Sequence, residues 1–158
     1  MDSSERSGVD LYAQSQGFKL LETFSQGDPQ PVQSISPIAL AYIGDAVFEL
    51  YVRMQLLWPP QRIQQFHQQV VSQVKAEQQA TYLEQLVPHL NEAEANLVRR
   101  GRNATSKPPR RLSAKVYRQA TAFETLVGYL YITNQERLGE LLNQLTISPQ
   151  IQAAADGN

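Results

Sequence analysis

Apolar side chains recur every three or four residues through most of the chain, which is the spacing of one face of an α-helix. The clearest run begins at Ser36-Pro37, where serine can accept a hydrogen bond from a free backbone N–H and proline suits the first helical turn. Pro59-Pro60 ends the run. The sequence therefore predicts a long helix with one apolar stripe, formed by Leu40, Ile43, Val47, Leu50, Met54 and Leu57.

The next stretch, from Gln61 to Leu86, is rich in glutamine but keeps apolar residues at helical spacing. We expect one or two helices here that end before Pro88. Asn91 and Glu94 have the three-residue spacing of a capping box, which predicts the start of another helix. We expect that helix to end near Gly101.

A second strongly apolar helix is expected after a loop from Arg102 to Leu112. Ser113 can cap this helix, and Asn134 can cap a last helix that runs from Gln135 to about Leu145. The apolar positions of the second helix are Val116, Ala120, Phe123, Val127 and Leu130. No segment alternates polar and apolar residues as a strand does. The sequence therefore predicts an all-α fold.

The chain length of 158 residues fits one domain with flanking segments. Residues 1–30 are polar and only weakly periodic, which predicts an N-terminal extension with at most one short helix. We expect the folded domain over residues 31–146 and a frayed tail over residues 147–158.

The composition excludes several kinds of site. The chain has no cysteine, which excludes disulfides, cysteine-ligated zinc and a thiol nucleophile. His67 and His89 are too isolated to form a histidine-rich metal site. No apolar run approaches the roughly 20 residues that span a bilayer, and the polar start of the chain does not resemble a secretion signal. We therefore expect a soluble, cytoplasmic protein with no membrane partner.

Positive charge is concentrated in one segment although the net charge is only −1. Residues 99–118 hold eight of the 14 lysines and arginines and no acid. Such a concentration favours a polyanionic partner, and a solvated basic loop is the alternative. The eight residues are Arg99, Arg100, Arg102, Lys107, Arg110, Arg111, Lys115 and Arg118.

Two carboxylates interrupt the two apolar helices. Asp45 follows Gly44 in the first helix, and Glu124 lies near a glycine in the second. A charge among apolar residues is unfavourable unless it is paired or bound to a metal, and glycine is unfavourable in a helix unless a backbone or ligand comes close. If the two helices pack together, their acids meet where a hard dication such as Mg²⁺ would neutralise them. The alternative for each acid alone is a surface position or an ion pair, for example with Arg53 or Lys75.

Two segments resemble the ribonuclease III family. That family's signature helix is similar to residues 41–50, Ala-Tyr-Ile-Gly-Asp-Ala-Val-Phe-Glu-Leu. Its second catalytic helix is similar to residues 122–131, Ala-Phe-Glu-Thr-Leu-Val-Gly-Tyr-Leu-Tyr. The resemblance spans residues 36–142 and is greatest for the short bacterial members, which have the nuclease domain and lack the double-stranded RNA-binding domain. It implies a ribonuclease III-like helical endonuclease domain that forms a homodimer, binds Mg²⁺ and cuts double-stranded RNA.

The resemblance also implies roles for individual residues. By position, Asp45 and Glu124 match acids that serve as catalytic and metal-ligating residues. Full-length members have further acids at three positions that here hold Ile38, Ala41 and Thr121. The short members share this reduced set, which leaves more of the coordination of Mg²⁺ to water and RNA phosphate. The candidates for binding RNA are Arg99, Arg100, Arg102, Lys107, Arg110 and Arg111.

Lys75 and Glu49 are second-rank candidates. Lys75 could orient a phosphate, or it could be an exposed helical lysine. Glu49 could lie beside the site, or it could form an ion pair with Arg53 four residues later.

The resemblance implies that the substrate is the precursor of large-subunit (23S) ribosomal RNA. The first alternative is a catalytically inactive ribonuclease III-like module that binds RNA during ribosome assembly. The presence of both Asp45 and Glu124 favours the enzyme. A helical protein whose basic loop binds an acidic protein surface is a third hypothesis, and it leaves the two acids unexplained.

Overall fold

The computed structural model describes residues 32–105 and 107–147. These residues form six α-helices and two short 3₁₀ turns, and they include no strand, which agrees with the predicted all-α fold. None of the helices in these ranges is both long and apolar enough to cross a bilayer. The predicted extension over residues 1–30 and nearly all of the predicted tail lie outside the described residues. The helices are α1 (Pro37–Gln55), α2 (Ile63–Val74), α3 (Ala76–Leu86), α4 (Glu92–Asn103), α5 (Ala114–Thr133) and α6 (Gln135–Leu142).

The predicted helix caps are confirmed. The Ser36 hydroxyl accepts a hydrogen bond from a backbone N–H in the first turn of α1, and Ser113 does the same for α5. Asn134 caps α6 in the same way. Asn91 and Glu94 form the capping box at the start of α4, with both reciprocal bonds 2.9 Å long. The local chemistry of these polar residues therefore fixes where four of the helices begin.

Helices α1 and α5 touch at two glycines. A Cβ atom added to Gly44 would lie 1.8 Å from the carbonyl oxygen of Glu124, and one added to Gly128 would lie 1.9 Å from the carbonyl oxygen of Leu40. Both distances are far shorter than any van der Waals contact, so only glycine fits at either position. The backbones of α1 and α5 therefore meet without side chains between them.

The core surrounds α5, which packs against α1, α3 and α4. Phe48 on α1 meets Phe123 on α5 edge to face, with ring centroids 4.8 Å apart. The ring of Tyr82 on α3 lies 5.8 Å from that of Phe48, also edge to face. These are the ring geometries that aromatic pairs favour, and they join three helices around one centre.

Only two of the six residues of the predicted apolar stripe face the core. Leu40 and Val47 are buried, whereas Ile43, Leu50, Met54 and Leu57 are exposed. Helix α1 is apolar on two sides, so periodicity alone does not show which side faces the core. The glycine contact with α5 decides it, and the buried face consists of Leu40, Ala41, Gly44, Val47, Phe48, Tyr51 and Val52.

The helix ends at Asn103, two residues beyond the glycine near which its end was predicted, but Gly101 lies inside α4 and is not its cap. Gly101 is buried, and an added Cβ atom would lie 2.8 Å from Thr125 Oγ1 and 3.0 Å from Ala122 Cα. This glycine therefore allows α4 to approach α5, and the loop between them begins later than expected. The last helix is also shorter than predicted, since α6 ends at Leu142.

An ion pair that the sequence did not reveal joins α6 to the start of α4. Arg137 binds the carboxylate of Glu94 through two nitrogens, at 2.8 and 3.1 Å, and also donates to the carbonyl oxygen of His89 at 2.7 Å. The Arg137 guanidinium holds the pKa of the buried Glu94 carboxyl below its ordinary value. Glu94 therefore serves both the capping box and the packing of α6.

Candidate active site

The contact between α1 and α5 brings Asp45 beside Glu124. Asp45 follows the glycine that touches the Glu124 backbone, and the two carboxyl groups hydrogen-bond each other. Glu124 is half-buried, whereas Asp45 is exposed. The expectation that Asp45 lies among apolar residues is therefore wrong: it lies at the solvent edge of the helix contact, where its charge stays hydrated.

The pKa of Glu124 is raised from 4.5 to about 8. Burial is the largest cause, because it disfavours the ionised form, and the neighbouring Asp45 charge adds to it. A hydrogen bond from the Gln79 side chain acts in the opposite direction and lowers the pKa. At neutral pH the two acids therefore hold a proton that a bound cation would displace.

Gln79 on α3 is the third side chain at this site, and it was not among the residues predicted from the sequence. Its side chain is buried, with only 2% of the residue exposed, and it hydrogen-bonds Glu124. A signal was present in the sequence, because Gln79 lies four and seven residues before Leu83 and Leu86. It is therefore a polar residue on the buried face of α3.

The site offers two carboxylates and no more. No group of three or more histidines, aspartates or glutamates that could hold a metal is found within residues 32–105 and 107–147. Thr121, one of the three positions where the resemblance implies an acid in full-length members, is buried, and its hydroxyl donates to the carbonyl oxygen of Tyr117 at 3.0 Å. Two carboxylates at a solvent edge fit Mg²⁺, which binds through one or two carboxylates and takes its remaining ligands from water and phosphate.

The second-rank candidates, Glu49 and Lys75, are not part of the pair formed by Asp45 and Glu124. Glu49 pairs with Arg53 at 2.6 Å on the exposed side of α1, which is the ion pair that their four-residue spacing predicts. Lys75 is exposed at the junction of α2 and α3, and its carbonyl oxygen accepts the backbone N–H of Gln79 at 3.0 Å. Lys75 therefore stands one helical turn before the glutamine that contacts Glu124.

The basic residues from Arg99 to Arg111 lie on and after the last turns of α4. All but one are exposed, and none takes part in an ion pair within the described ranges. The exception is Arg102, which is half-buried and donates to the side chain of Gln119 on α5. Gln119 precedes Glu124 by five residues, which is about 7.5 Å along the helix axis. Through Arg102, the basic segment therefore contacts the N-terminal half of α5, on the chain before Glu124.

The exposed side of α1 carries an apolar stripe, which we call the α1 stripe. Its large members repeat at nearly every fourth residue, and the most exposed of them is Tyr42, at 82%. The α1 stripe consists of Ile38, Tyr42, Leu50 and Met54 on the helix and Leu57 just after its end, with the exposed Ala46 in phase between them. Asp45 and Glu49 flank it, so the apolar surface runs beside the candidate site.

Comparison with known proteins identifies the family. The model of the ribonuclease III domain matches residues 38–135. A Mini-ribonuclease 3 from Synechocystis is 53% identical over 120 residues, which are 76% of this chain and 84% of that protein. The Mini-ribonuclease 3 of Thermosynechococcus vestitus is 51% identical over 115 residues, which are 73% and 76% of the two chains.

A solved structure agrees with this result. The crystal structure of a Fusobacterium nucleatum protein matches with a TM-score of 0.67 and 26% identity, covering 73% of this chain and 96% of that one. The chain belongs to the ribonuclease III family of endoribonucleases and, within that family, is similar throughout its nuclease domain to the Mini-ribonucleases III.

Proposed function

We propose that this endoribonuclease cuts double-stranded RNA in a Mg²⁺-dependent reaction, as a homodimer, with Asp45 and Glu124 as its catalytic and metal-ligating residues. The observation that carries the proposal is the contact of these two carboxyls at the solvent edge of the α1–α5 crossing. The two acids repel each other when ionised, and a dication is the partner that relieves this repulsion.

Asp45 and Glu124 would hold the ion where RNA can reach it from solvent. A bound Mg²⁺ would make an attacking water more acidic and stabilise the charge that develops on the phosphate. The half-buried Glu124 fixes one side of the site, because α1 and α3 surround it. The exposed Asp45 faces the substrate. Lys75 is available to contact a neighbouring phosphate.

The basic segment would bind the RNA backbone. Its exposed members Arg99, Arg100, Lys107, Arg110 and Arg111 are without acidic partners within the described ranges, so their charge is available to phosphates. A-form RNA presents a shallow minor groove and regular phosphates, so recognition would depend mainly on shape. Arg102 would contribute less, because it already binds Gln119.

The α1 stripe supports a homodimer. An exposed apolar surface of this kind marks an interaction site, and self-association through the same helix would bury it in two copies at once. Such a dimer would place two pairs of acids near the interface, one for each strand of a duplex.

The proposed physiological substrate is the precursor of 23S ribosomal RNA, whose ends form a duplex stem. This step rests on the resemblance to the Mini-ribonucleases III. Cleavage of that stem should be compared with cleavage of an unrelated duplex of the same length, and equal rates would argue against a preference for the precursor. A catalytically inactive RNA-binding module is the alternative, and the contact between the two intact acids favours the enzyme.

The decisive experiment compares the purified protein with its Asp45→Asn variant on a long synthetic RNA duplex, with Mg²⁺ and with a chelator. We expect the variant to lose cleavage by at least about a thousandfold, while its circular dichroism and RNA binding stay near those of the unmodified protein. Glu84→Gln is the matched control, because Glu84 is an exposed acid on α3 that is not among the groups that shift the pKa of Glu124. Normal cleavage by Asp45→Asn would show that the site is assigned wrongly.

A further inference from the structure

Gln79 is a buried amide whose position is explained by neither a helix cap nor an ion pair. It lies in the first turn of α3, with 2% of its surface exposed, although that helix has apolar residues at its other large core positions. Burying an amide is unfavourable unless its polar atoms are satisfied. The hydrogen bond to Glu124 satisfies one of the polar groups of this amide.

The direction of this bond follows from the chemistry of the two groups. The bond lowers the pKa of Glu124, so it favours the ionised carboxylate, which can only accept, and the Gln79 amide nitrogen is therefore the donor. A carboxylate has about four lone-pair sites on two oxygens, so Glu124 can accept from Gln79 and still present an oxygen towards Asp45. The amide therefore restrains the long glutamate side chain without using up its capacity to bind.

We propose that Gln79 is a positioning residue: its amide holds the Glu124 carboxylate in the orientation that faces Asp45, and so sets the affinity of the two acids for a divalent cation. The inference rests on the proposed function, since it assigns the cation to these acids. Side chains that hydrogen-bond a metal-ligating carboxylate commonly change metal affinity about 10- to 100-fold when removed.

The anchoring of Gln79 favours this role. The backbone N–H of Gln79 donates to the carbonyl oxygen of Lys75 at 3.0 Å, at the start of a helix that packs along α5. The side-chain amide of Gln79 therefore projects from a rigid helical turn. Glu124 has three rotatable bonds, and without the amide its carboxyl would have only Asp45 as a described partner.

The test measures cation binding directly, in the absence of RNA. Mn²⁺ is the probe, because it shares the preference of Mg²⁺ for oxygen ligands and free Mn²⁺ can be counted by electron paramagnetic resonance. Binding that is lost in Asp45→Asn defines the site. We expect Gln79→Met, which keeps the length of the side chain and removes the donor, to weaken this binding about 10- to 100-fold. The half-saturating Mg²⁺ concentration for cleavage should rise by the same factor.

Gln73→Met is the matched control. Gln73 is likewise a buried amide, 3% exposed, but its side chain hydrogen-bonds the hydroxyl of Tyr82 in the core. We expect its replacement to lower stability and to leave Mn²⁺ affinity unchanged. Gln79→Asn provides a second variant in case Gln79→Met does not fold, because it keeps an amide that is one methylene too short to reach Glu124.

Two results would overturn the inference, and they differ from failure of the proposed function. Wild-type Mn²⁺ affinity in the folded Gln79 variants, with the Asp45→Asn loss intact, would remove the role of Gln79 alone. Equal weakening by Gln79→Met and Gln73→Met would show a general effect of core stability. Absence of Asp45-dependent Mn²⁺ binding in the unmodified protein would overturn the metal site itself, and the role of Gln79 with it.

Discussion

Glu124 keeps its proton to a higher pH than an ordinary glutamate because it is half-buried beside another acid. The unfolded chain would release that proton near pH 4.5, whereas the folded protein releases it near pH 8. Between these values the folded state binds more protons than the unfolded state, so stability falls as pH rises. The sign is opposite to that of a carboxylate in an ion pair, such as Glu94.

We therefore predict that the free energy of unfolding of the metal-free protein decreases between about pH 4.5 and pH 8 through this one group. The slope has a limit of about 1.4 kcal/mol per pH unit. Urea titrations in the presence of a chelator measure the free energy of unfolding at each pH for the unmodified protein and for Glu124→Gln. Subtracting one curve from the other removes the contributions of the other titrating groups. If the two curves run parallel, Glu124 titrates normally and is not coupled to Asp45.

Helices α1 and α5 pack closely because each has a glycine, which carries no side chain, where their backbones meet. We predict that Gly44→Ala lowers the free energy of unfolding by about 3 kcal/mol or more, because the added Cβ atom meets a backbone oxygen that cannot move without its helix. Gly139→Ala should instead raise it by about 0.5–1 kcal/mol, since no atom lies within 4 Å of the added Cβ atom and alanine favours the helix. Urea denaturation of both variants checks the pair. Similar effects of the two substitutions would contradict the close contact.

At the scale of the helices, some features could be predicted from the sequence and others could not. Caps are local, so Ser36, Asn91 and Ser113 give helix starts that the structure confirms. The buried side of α1 could not be predicted, because that helix is apolar on two sides and the choice depends on a contact with α5, some 80 residues away in the chain. The capping role predicted for Gly101 was wrong for the same reason, since in a sequence a glycine that allows close packing cannot be told from one that ends a helix.

The candidate site was predictable in part. Asp45 and Glu124 interrupt apolar helices near glycines, and the structure does bring them together. Gln79 was harder to find, because it lies among many glutamines and differs from them only in its burial. A polar residue in phase with Leu83 and Leu86 was the available signal, and its meaning depended on knowing that α3 packs against α5.

At the scale of the whole molecule, the charge distribution predicts how RNA binding depends on salt. Neutralising Arg100, Arg110 and Arg111 together should weaken binding to duplex RNA and reduce the slope of log affinity against log salt by about one for each phosphate that is no longer bound. Arg62→Gln removes one charge outside the segment, and its effect gives the change per charge that is expected when no phosphate contact is lost. Filter binding or fluorescence anisotropy between about 50 and 200 mM salt provides the slopes. An unchanged slope would identify the segment as solvated surface.

The α1 stripe also allows a prediction about the oligomeric state of the protein. The α1 stripe has Tyr42 near its N-terminal end, 82% exposed and close in sequence to Asp45, so a charge placed there would be buried without a partner in any dimer formed through α1. We predict that the unmodified protein sediments as the proposed dimer and that Tyr42→Asp shifts it to the monomer, whereas Val87→Asp, which alters an exposed apolar residue outside α1, leaves the sedimentation unchanged. Because each protomer would cut one strand, the monomer should also lose double-strand cleavage although its own two acids remain in contact. A dimer that persists in Tyr42→Asp would place the interface elsewhere, and an active monomer would show that one pair of acids is enough.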